Sequence, residues 1–146
     1  MEPKLTNDPD VRQAVPFFGV RDIEASLRFY VDGLGFRLTH QWTAEEGIRW
    51  CWLELGKAAL MLQEFWKDGK RGGGPAGPLG EGVSICFMCG DAIAMYHTAK
   101  ARGLTPATPY VGNRLWVTSF VDPDGYRLDF ESPTDLPEET VYSDPT

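Results

Sequence analysis

Two aspartates 69 residues apart constrain this chain more than any other feature. Asp22 opens RDIEASLRFYVDGLG and Asp91 opens GDAIAMYHTAKARG, and each stands just before a run with helical spacing. Aspartate at that place accepts a hydrogen bond from a free amide of the first turn, so both read as helix N-caps. Glycines follow both runs, Gly33 or Gly35 in the first and Gly103 in the second, and glycine is the residue that stops a helix most readily. Gly56 and Gly125, in apparent hairpin turns, are also 69 apart. Two unrelated landmarks at one offset predict an internal duplication.

Each half reads strand, helix, strand, strand, strand. In the first, strands are expected near 14–20, 36–43, 48–55 and 58–65 around a helix over 22–33. In the second they fall near 82–89, 106–110, 114–121 and 125–131 around a helix over 91–102. The expected organisation is an arm (1–13), a first βαβββ module (14–66), a linker (67–82), a second module (83–131) and a tail (132–146). The fold class is α+β. KDGKRGGGPAGPLGEG, residues 67–82, is too rich in Gly and Pro for the interior of a helix or strand, and it lacks the Gly-Lys-Ser/Thr ending of a phosphate loop. The tail is Pro-rich, carries Asp135, Glu138, Glu139 and Asp144 with no base, and is expected to trail.

Charge and cysteine content exclude several roles. Fourteen bases against 21 acids give −7, which disfavours nucleic acid as a partner. No run of apolar residues is long enough for a membrane span and no N-terminal signal is visible. Three cysteines, an odd number, argue for a reducing cytoplasm over a disulfide framework. Cys86-Phe87-Met88-Cys89 has zinc-like spacing, but on a strand positions three apart face opposite ways, and no second pair exists. His40 and His97 have no ligand-like spacing and read as surface or capping residues.

The stretches AVPFFGVRDIEASLRFYVDGLGF (14–36) and SFVDPDGYRLDF (119–130) resemble the opening βα unit and closing hairpin of the vicinal oxygen chelate superfamily, which includes glyoxalase I, extradiol dioxygenases and the fosfomycin and bleomycin resistance proteins. Together with ALMLQEF (59–65), they are most similar to the bleomycin-resistance branch. The resemblance implies paired βαβββ modules whose sheets curl into a cup, helices outside and ligand inside, and a homodimer in which the N-terminal strand crosses to the partner at Pro16. It also implies a metal quartet in the metal-dependent members. The closing glutamate of that quartet falls on Asp129, and the other positions fall on Leu60, Val15 and Ser84. Three of these offer no useful donor, so no metal and no other cofactor is expected.

DPDG (122–125) reads as a tight turn joining two antiparallel strands. Pairing Val121 with Tyr126 across it puts Arg114, Trp116, Thr118 and Phe120 on one face with Arg127, Asp129 and Glu131. The offset of 69 then assigns Arg49, Cys51, Leu53, Leu60 and Leu62 to the matching face of the first module and turns Trp50 and Trp52 toward the helices. Trp42, Phe65 and Trp66 stand at strand ends. The expected ligand site is Trp116, Asp129, Glu131, Arg49, Leu60, Trp42, Phe65 and Trp66: aromatic plates and carboxylates for a planar, cationic molecule. An ordinary surface in which Asp129 and Glu131 pair with Arg127, Arg49 or Arg114 is the competing reading. The expected function is stoichiometric sequestration of a bleomycin-type antibiotic, with no catalytic residue. The alternatives are a metal-dependent enzyme of glyoxalase or dioxygenase type, using Asp129 with His40 or Gln63, and a structural module with an empty cup.

Overall fold

The computed structural model describes residues 8–145. The chain orders its elements as β1 (Phe17–Val20), α1 (Ile23–Leu27, continuing as a π-helical turn Arg28–Gly33), β2 (Arg37–Ala44), β3 (Gly47–Leu55), β4 (Ala58–Glu64), β5 (Trp66–Lys67), β6 (Lys70–Arg71), β7 (Ser84–Met88), α2 (Ala92–Ala101), β8 (Tyr110–Gly112), β9 (Leu115–Val121) and β10 (Arg127–Pro133). Two four-stranded sheets have the same order, β1-β4-β3-β2 and β7-β10-β9-β8. In each the first and last strands are parallel, because a helix carries the chain across between them, and the other pairs are antiparallel hairpins. The fold is the α+β pair of βαβββ modules expected from the duplication. Among the described residues no helix is long and apolar enough to cross a membrane.

Both aspartates cap as the spacing requires. Asp22 Oδ1 accepts from the amides of Glu24 and Ala25 at 3.1 and 3.3 Å, and Asp91 Oδ1 from that of Ala94 at 2.9 Å. Gly35 and Gly103 end the helices at φ 91° and 93°, backbone that other residues resist. A second device anchors each helix to its sheet. Glu64 Oε2 accepts from the amide of Ile23 at 3.0 Å, and Ser132 Oγ from the amide of Ala92 at 2.8 Å. Glu64 and Ser132 therefore occupy equivalent places, 68 residues apart, so the fourth strands are offset by one less than the helices.

The helix-side faces of the two sheets share one core. Val20, Ile23, Tyr30, Leu53, Leu60 and Leu62 from the first module meet Phe87, Phe120, Leu128 and Phe130 from the second. Phe18 stacks on Tyr126 with centroids 4.1 Å apart, and Phe36 meets Phe87 edge-on at 5.9 Å.

The DPDG turn is the principal polar link between the modules. Asp122 Oδ1 accepts the amides of Asp124 and Tyr126, both at 2.9 Å, and Asp122 Oδ2 accepts the Tyr30 hydroxyl at 2.8 Å. Asp124 Oδ1 accepts the Arg21 amide at 3.1 Å. By wrapping its own backbone, Asp122 widens the loop, and Val121 pairs with Arg127 where the sequence reading paired it with Tyr126. Every side chain of β9 consequently exchanges faces relative to β10.

Two other expectations need correction. The 67–82 segment is not all loop: Lys70–Arg71 pairs with Trp66–Lys67 in a short hairpin. Farther along, Arg21 Nη2 donates to Pro75 O at 2.7 Å and to Gly77 O, and Leu79 N donates to Asp124 O at 2.9 Å. Nor does the tail trail. Val111 N donates to Thr140 O and Tyr142 N to Pro109 O, both at 2.9 Å, so the tail extends the edge at β8. The Tyr142 ring packs edge-on against Trp116 and His97, and its hydroxyl lies 2.8 Å from His97 Nε2.

Candidate functional site

Register decides which side chains are free to meet a ligand. In the first sheet Cys51, Leu53, Leu60 and Leu62 are fully buried, on the face that Glu64 ties to α1. Leu60 is core and unavailable to a ligand. The register sets Trp52 beside Met61 and His40, Trp50 beside Gln63 and Trp42, and Phe17 beside Met61. By strand alternation these line the opposite, open face, where Phe17 and Trp42 are more than half exposed. The sequence reading had this face inverted for two reasons: in β4 an offset of 69 stood where 68 holds, and in β3 the face was copied from β9, itself inverted by the Val121–Tyr126 pairing. Leu53 pairs with Leu60 as Phe120 pairs with Leu128, so the third strands differ by 67 and the fourth by 68.

In the second sheet Trp116, Thr118 and Phe120 lie on the helix side. Trp116 pairs with Ser132 and packs under Tyr142, and Thr118 Oγ1 donates to Ala92 O at 2.8 Å. Trp116 is therefore not on the face of Asp129 and Glu131. That face carries Arg127, Asp129 and Glu131, with Ser84, Cys86 and Met88 as their register partners on β7. Asp129 is 6% exposed, and its Oδ1 takes the Ser119 hydroxyl at 2.5 Å and Arg127 Nε at 3.2 Å. The expected competitor Arg127 thus engages one oxygen of Asp129, while Arg49 and Arg114 do not reach either carboxylate.

Parallel pairing of β7 with β10 gathers a group the sequence reading did not assemble. Ligand atoms of Cys86, Asp129 and Glu131 lie within 4.8 Å of one another. The signal was present in Cys86, but only the register names Asp129 as its neighbour. These residues do not fit a metal centre well. Burial, then the Glu131 and Asp129 charges, push the Cys86 thiol up and disfavour the thiolate that would bind a metal. Asp129 Oδ1 is already engaged twice. Asp129 falls, through the offset of 68, opposite Met61 in the first module, which adds no hard donor.

Beside this acidic group an open apolar cavity of about 930 Å³ separates the N-terminal arm, the β3–β4 turn and β7. Val15, Pro16, Ala59, Cys86, Phe87 and Phe130 line it, so Cys86 belongs both to the cavity wall and to the carboxylate cluster.

Arg49, Phe65 and Trp66 come together elsewhere. In β2–β3, Trp42 pairs with Trp50 and Thr43 with Ile48, which leaves Arg49 as the extra residue of a β-bulge. A bulge re-aims its side chain. The Arg49 guanidinium lies 4.1 Å from the Trp66 ring centroid and 5.3 Å from that of Trp42. A smaller cavity of about 190 Å³ is bounded by Phe17, Gly19, Arg49, Gln63, Phe65 and Trp66.

A search of protein families matches residues 12–130 to the Glyoxalase/Bleomycin resistance protein/Dioxygenase superfamily. The chain belongs to that superfamily. Solved structures share the fold of this superfamily member at low identity. The bleomycin resistance determinant encoded on transposon Tn5 is 22% identical over 86% of this chain and 100% of its own, with a TM-score of 0.65. A bleomycin-binding protein complexed with bleomycin is 24% identical over 84% and 98%, with a TM-score of 0.62. TnmS3, an antibiotic binding protein from Streptomyces sp. CB03234, is 22% identical over 84% and 98%, with a TM-score of 0.61. No curated protein sequence matches the chain.

Proposed function

We propose that this superfamily member is a cytoplasmic binding protein that sequesters a flat, cationic small molecule of the kind a bleomycin-type antibiotic presents, without a metal. One observation carries the reading: Cys86 stands at once in the wall of the 930 Å³ apolar cavity and within 4.8 Å of the ligand atoms of Asp129 and Glu131. The volume lies in the range that encloses a drug-sized ligand. Apolar walls supply area-dependent affinity, and the two carboxylates that neighbour Cys86 supply an attraction for positive charge that weakens with salt. The solved relatives named for binding bleomycin and other antibiotics support the same reading.

The site is completed in a homodimer. Gln13, Ala14, Val15 and Pro16 form one cavity wall, and Val11 beside them is 80% exposed. An extended arm with exposed apolar residues next to an open apolar cavity suits a second copy crossing there.

Titration with a bleomycin-type glycopeptide, followed by calorimetry and by sedimentation of the complex, tests both statements. Binding is expected in dimeric protein, with affinity falling as salt rises. Asp129→Asn combined with Glu131→Gln is expected to weaken binding about tenfold and flatten the salt dependence. Because Lys57 also lines the cavity, the salt dependence is the deciding readout. A neutral aromatic that binds as well as the cation rejects the charge argument, and a monomeric complex rejects the dimer.

The Cys86–Asp129–Glu131 group favours one other reading, a metal-dependent enzyme of the same superfamily. Elemental analysis of the purified protein separates the two. Well under one metal per chain is expected, and a stoichiometric ion lost in the Asp129→Asn variant would promote the enzyme.

A further inference from the structure

The smaller cavity of the first module carries an inference independent of the acidic face. Among the described residues, Arg49 Nε and Trp66 Nε1 are buried N–H groups with no hydrogen-bond partner, and both residues bound this same cavity. Buried donors left without an acceptor forfeit the hydrogen bonds they make in water, so two of them bounding one space point to an acceptor that fills it.

Charge and geometry define the acceptor. Among the described residues Glu64 is the one acid bounding the cavity: Oε2 takes the Ile23 amide at 3.0 Å, while Oε1 is ion-paired with Arg71 Nε at 2.9 Å and is itself a buried atom that accepts no hydrogen bond. With that pair neutralised, Arg49 is left as an uncompensated cation. The short hairpin alongside adds Lys67 and Lys70. The guanidinium carbon lies over the Trp66 ring, 4.1 Å from its centroid, a cation–π contact that restrains it. A guanidinium presents its N–H groups as a fork, which two oxygens of a planar anion can meet side by side, as a single point charge could not. Gln63 adds a side-chain amide and Phe17 and Phe65 add apolar walls, in about 190 Å³.

We propose that this cavity is a carboxylate-binding site in which Arg49 and the Trp66 indole N–H together hold the oxygens of a small planar acid, or of a carboxylate borne by a larger ligand. Gly19 fits the arrangement. A Cβ there would stand 2.5 Å from the Phe65 ring, so glycine is what lets that ring close one side of the site.

Benzoate is a suitable probe, with benzamide as its neutral isostere and inorganic phosphate as an anion of different shape. The readout is the indole N–H resonance of Trp66 in a ¹H–¹⁵N spectrum, assigned by its loss in Trp66→Phe. Benzoate up to about 10 mM is expected to shift that resonance in a saturable way, a concentration suited to an isolated charge-assisted site. Benzamide is expected to bind at least about tenfold more weakly, and Arg49→Gln to weaken benzoate by a similar factor. Arg49→Lys, which keeps the charge and loses the fork, is expected to restore only part of the affinity. Circular dichroism and unchanged shifts of the remaining indoles show that each variant is folded. An unmoved Trp66 resonance, equal binding of benzamide, or phosphate matching benzoate would overturn the assignment. Because Asp129 and Glu131 take no part, Asp129→Asn with Glu131→Gln is expected to leave benzoate binding unchanged, so this site and the cationic site fail or stand separately.

Discussion

Replacing Asp122 with alanine is expected to lower the stability of this protein by about 4 kcal/mol, the sum of several buried hydrogen bonds lost together. The carboxylate is 4% exposed and accepts three bonds: the Tyr30 hydroxyl from the first module and the amides of Asp124 and Tyr126 within its own turn. Alanine leaves all three donors without a partner in a dry interior and frees the loop that sets the β9–β10 register. Urea unfolding measures the loss, and a change below about 1 kcal/mol would show that the turn is not the link between modules. Asp122→Asn isolates the charge. Burial holds the Asp122 carboxyl above its ordinary 3.8, more strongly than its hydrogen bonds lower it. A raised acid favours folding fully only below its unfolded value, and that contribution is lost as pH rises through the folded value. The wild-type protein bears this loss and the asparagine variant does not. Between about pH 4 and 7, therefore, the stability of Asp122→Asn is expected to improve relative to wild type as pH rises, and a flat difference would contradict the assignment.

Gly125→Ala is expected to cost about 3 kcal/mol, while Gly56→Ala, in the corresponding hairpin of the first module, costs about 1. Both glycines have positive φ, 105° and 57°, so both substitutions carry backbone strain. Only Gly125 is also enclosed. A Cβ there would stand 2.9 and 3.1 Å from the Leu79 backbone nitrogen and oxygen and 3.2 Å from the Pro78 Cα, whereas a Cβ at Gly56 meets nothing within 4 Å. Backbone cannot rotate aside as a side chain can. The extra loss at Gly125 therefore reports how firmly the Gly/Pro-rich segment is clamped to the DPDG turn. Equal losses at the two glycines would mean that the segment yields freely. Thermal or urea unfolding of the two variants makes the comparison directly.

The clamp also bears on function. Arg21 holds the Pro75 and Gly77 carbonyls, and Leu79 holds Asp124, so this part of the segment belongs to the junction between modules. The carboxylates of the proposed cationic site, Asp129 and Glu131, lie on the face of β10 opposite the core residues Leu128 and Phe130. Stability variants at Asp122 or Gly125 and affinity variants at Asp129 or Glu131 should then be separable, as residues without shared partners usually are.

The features legible in the amino-acid sequence were local ones. A capping aspartate acts on amides two or three residues away, a helix-ending glycine on its own φ, and strand alternation on neighbours two apart. Asp22, Asp91, Gly35 and Gly103 therefore announced two copies of one module in their correct order, and the family followed from the same stretches. The faces of the sheets were not local. They depended on whether Val121 meets Tyr126 or Arg127; Asp122 widens the turn by accepting two amides of its own loop, and the Tyr30 hydroxyl, 92 residues away, anchors that carboxylate from the other module. One residue of register moved Trp116 to the helix side, and a uniform offset of 69 put Leu60 on the open face in place of Met61. The bulge at Arg49, the meeting of Cys86 with Asp129 and Glu131, and the docking of the tail through Tyr142 are of the same kind. Each depends on which strand lies beside which and in what register, and a period of two residues cannot distinguish one face from the other until tertiary contacts choose.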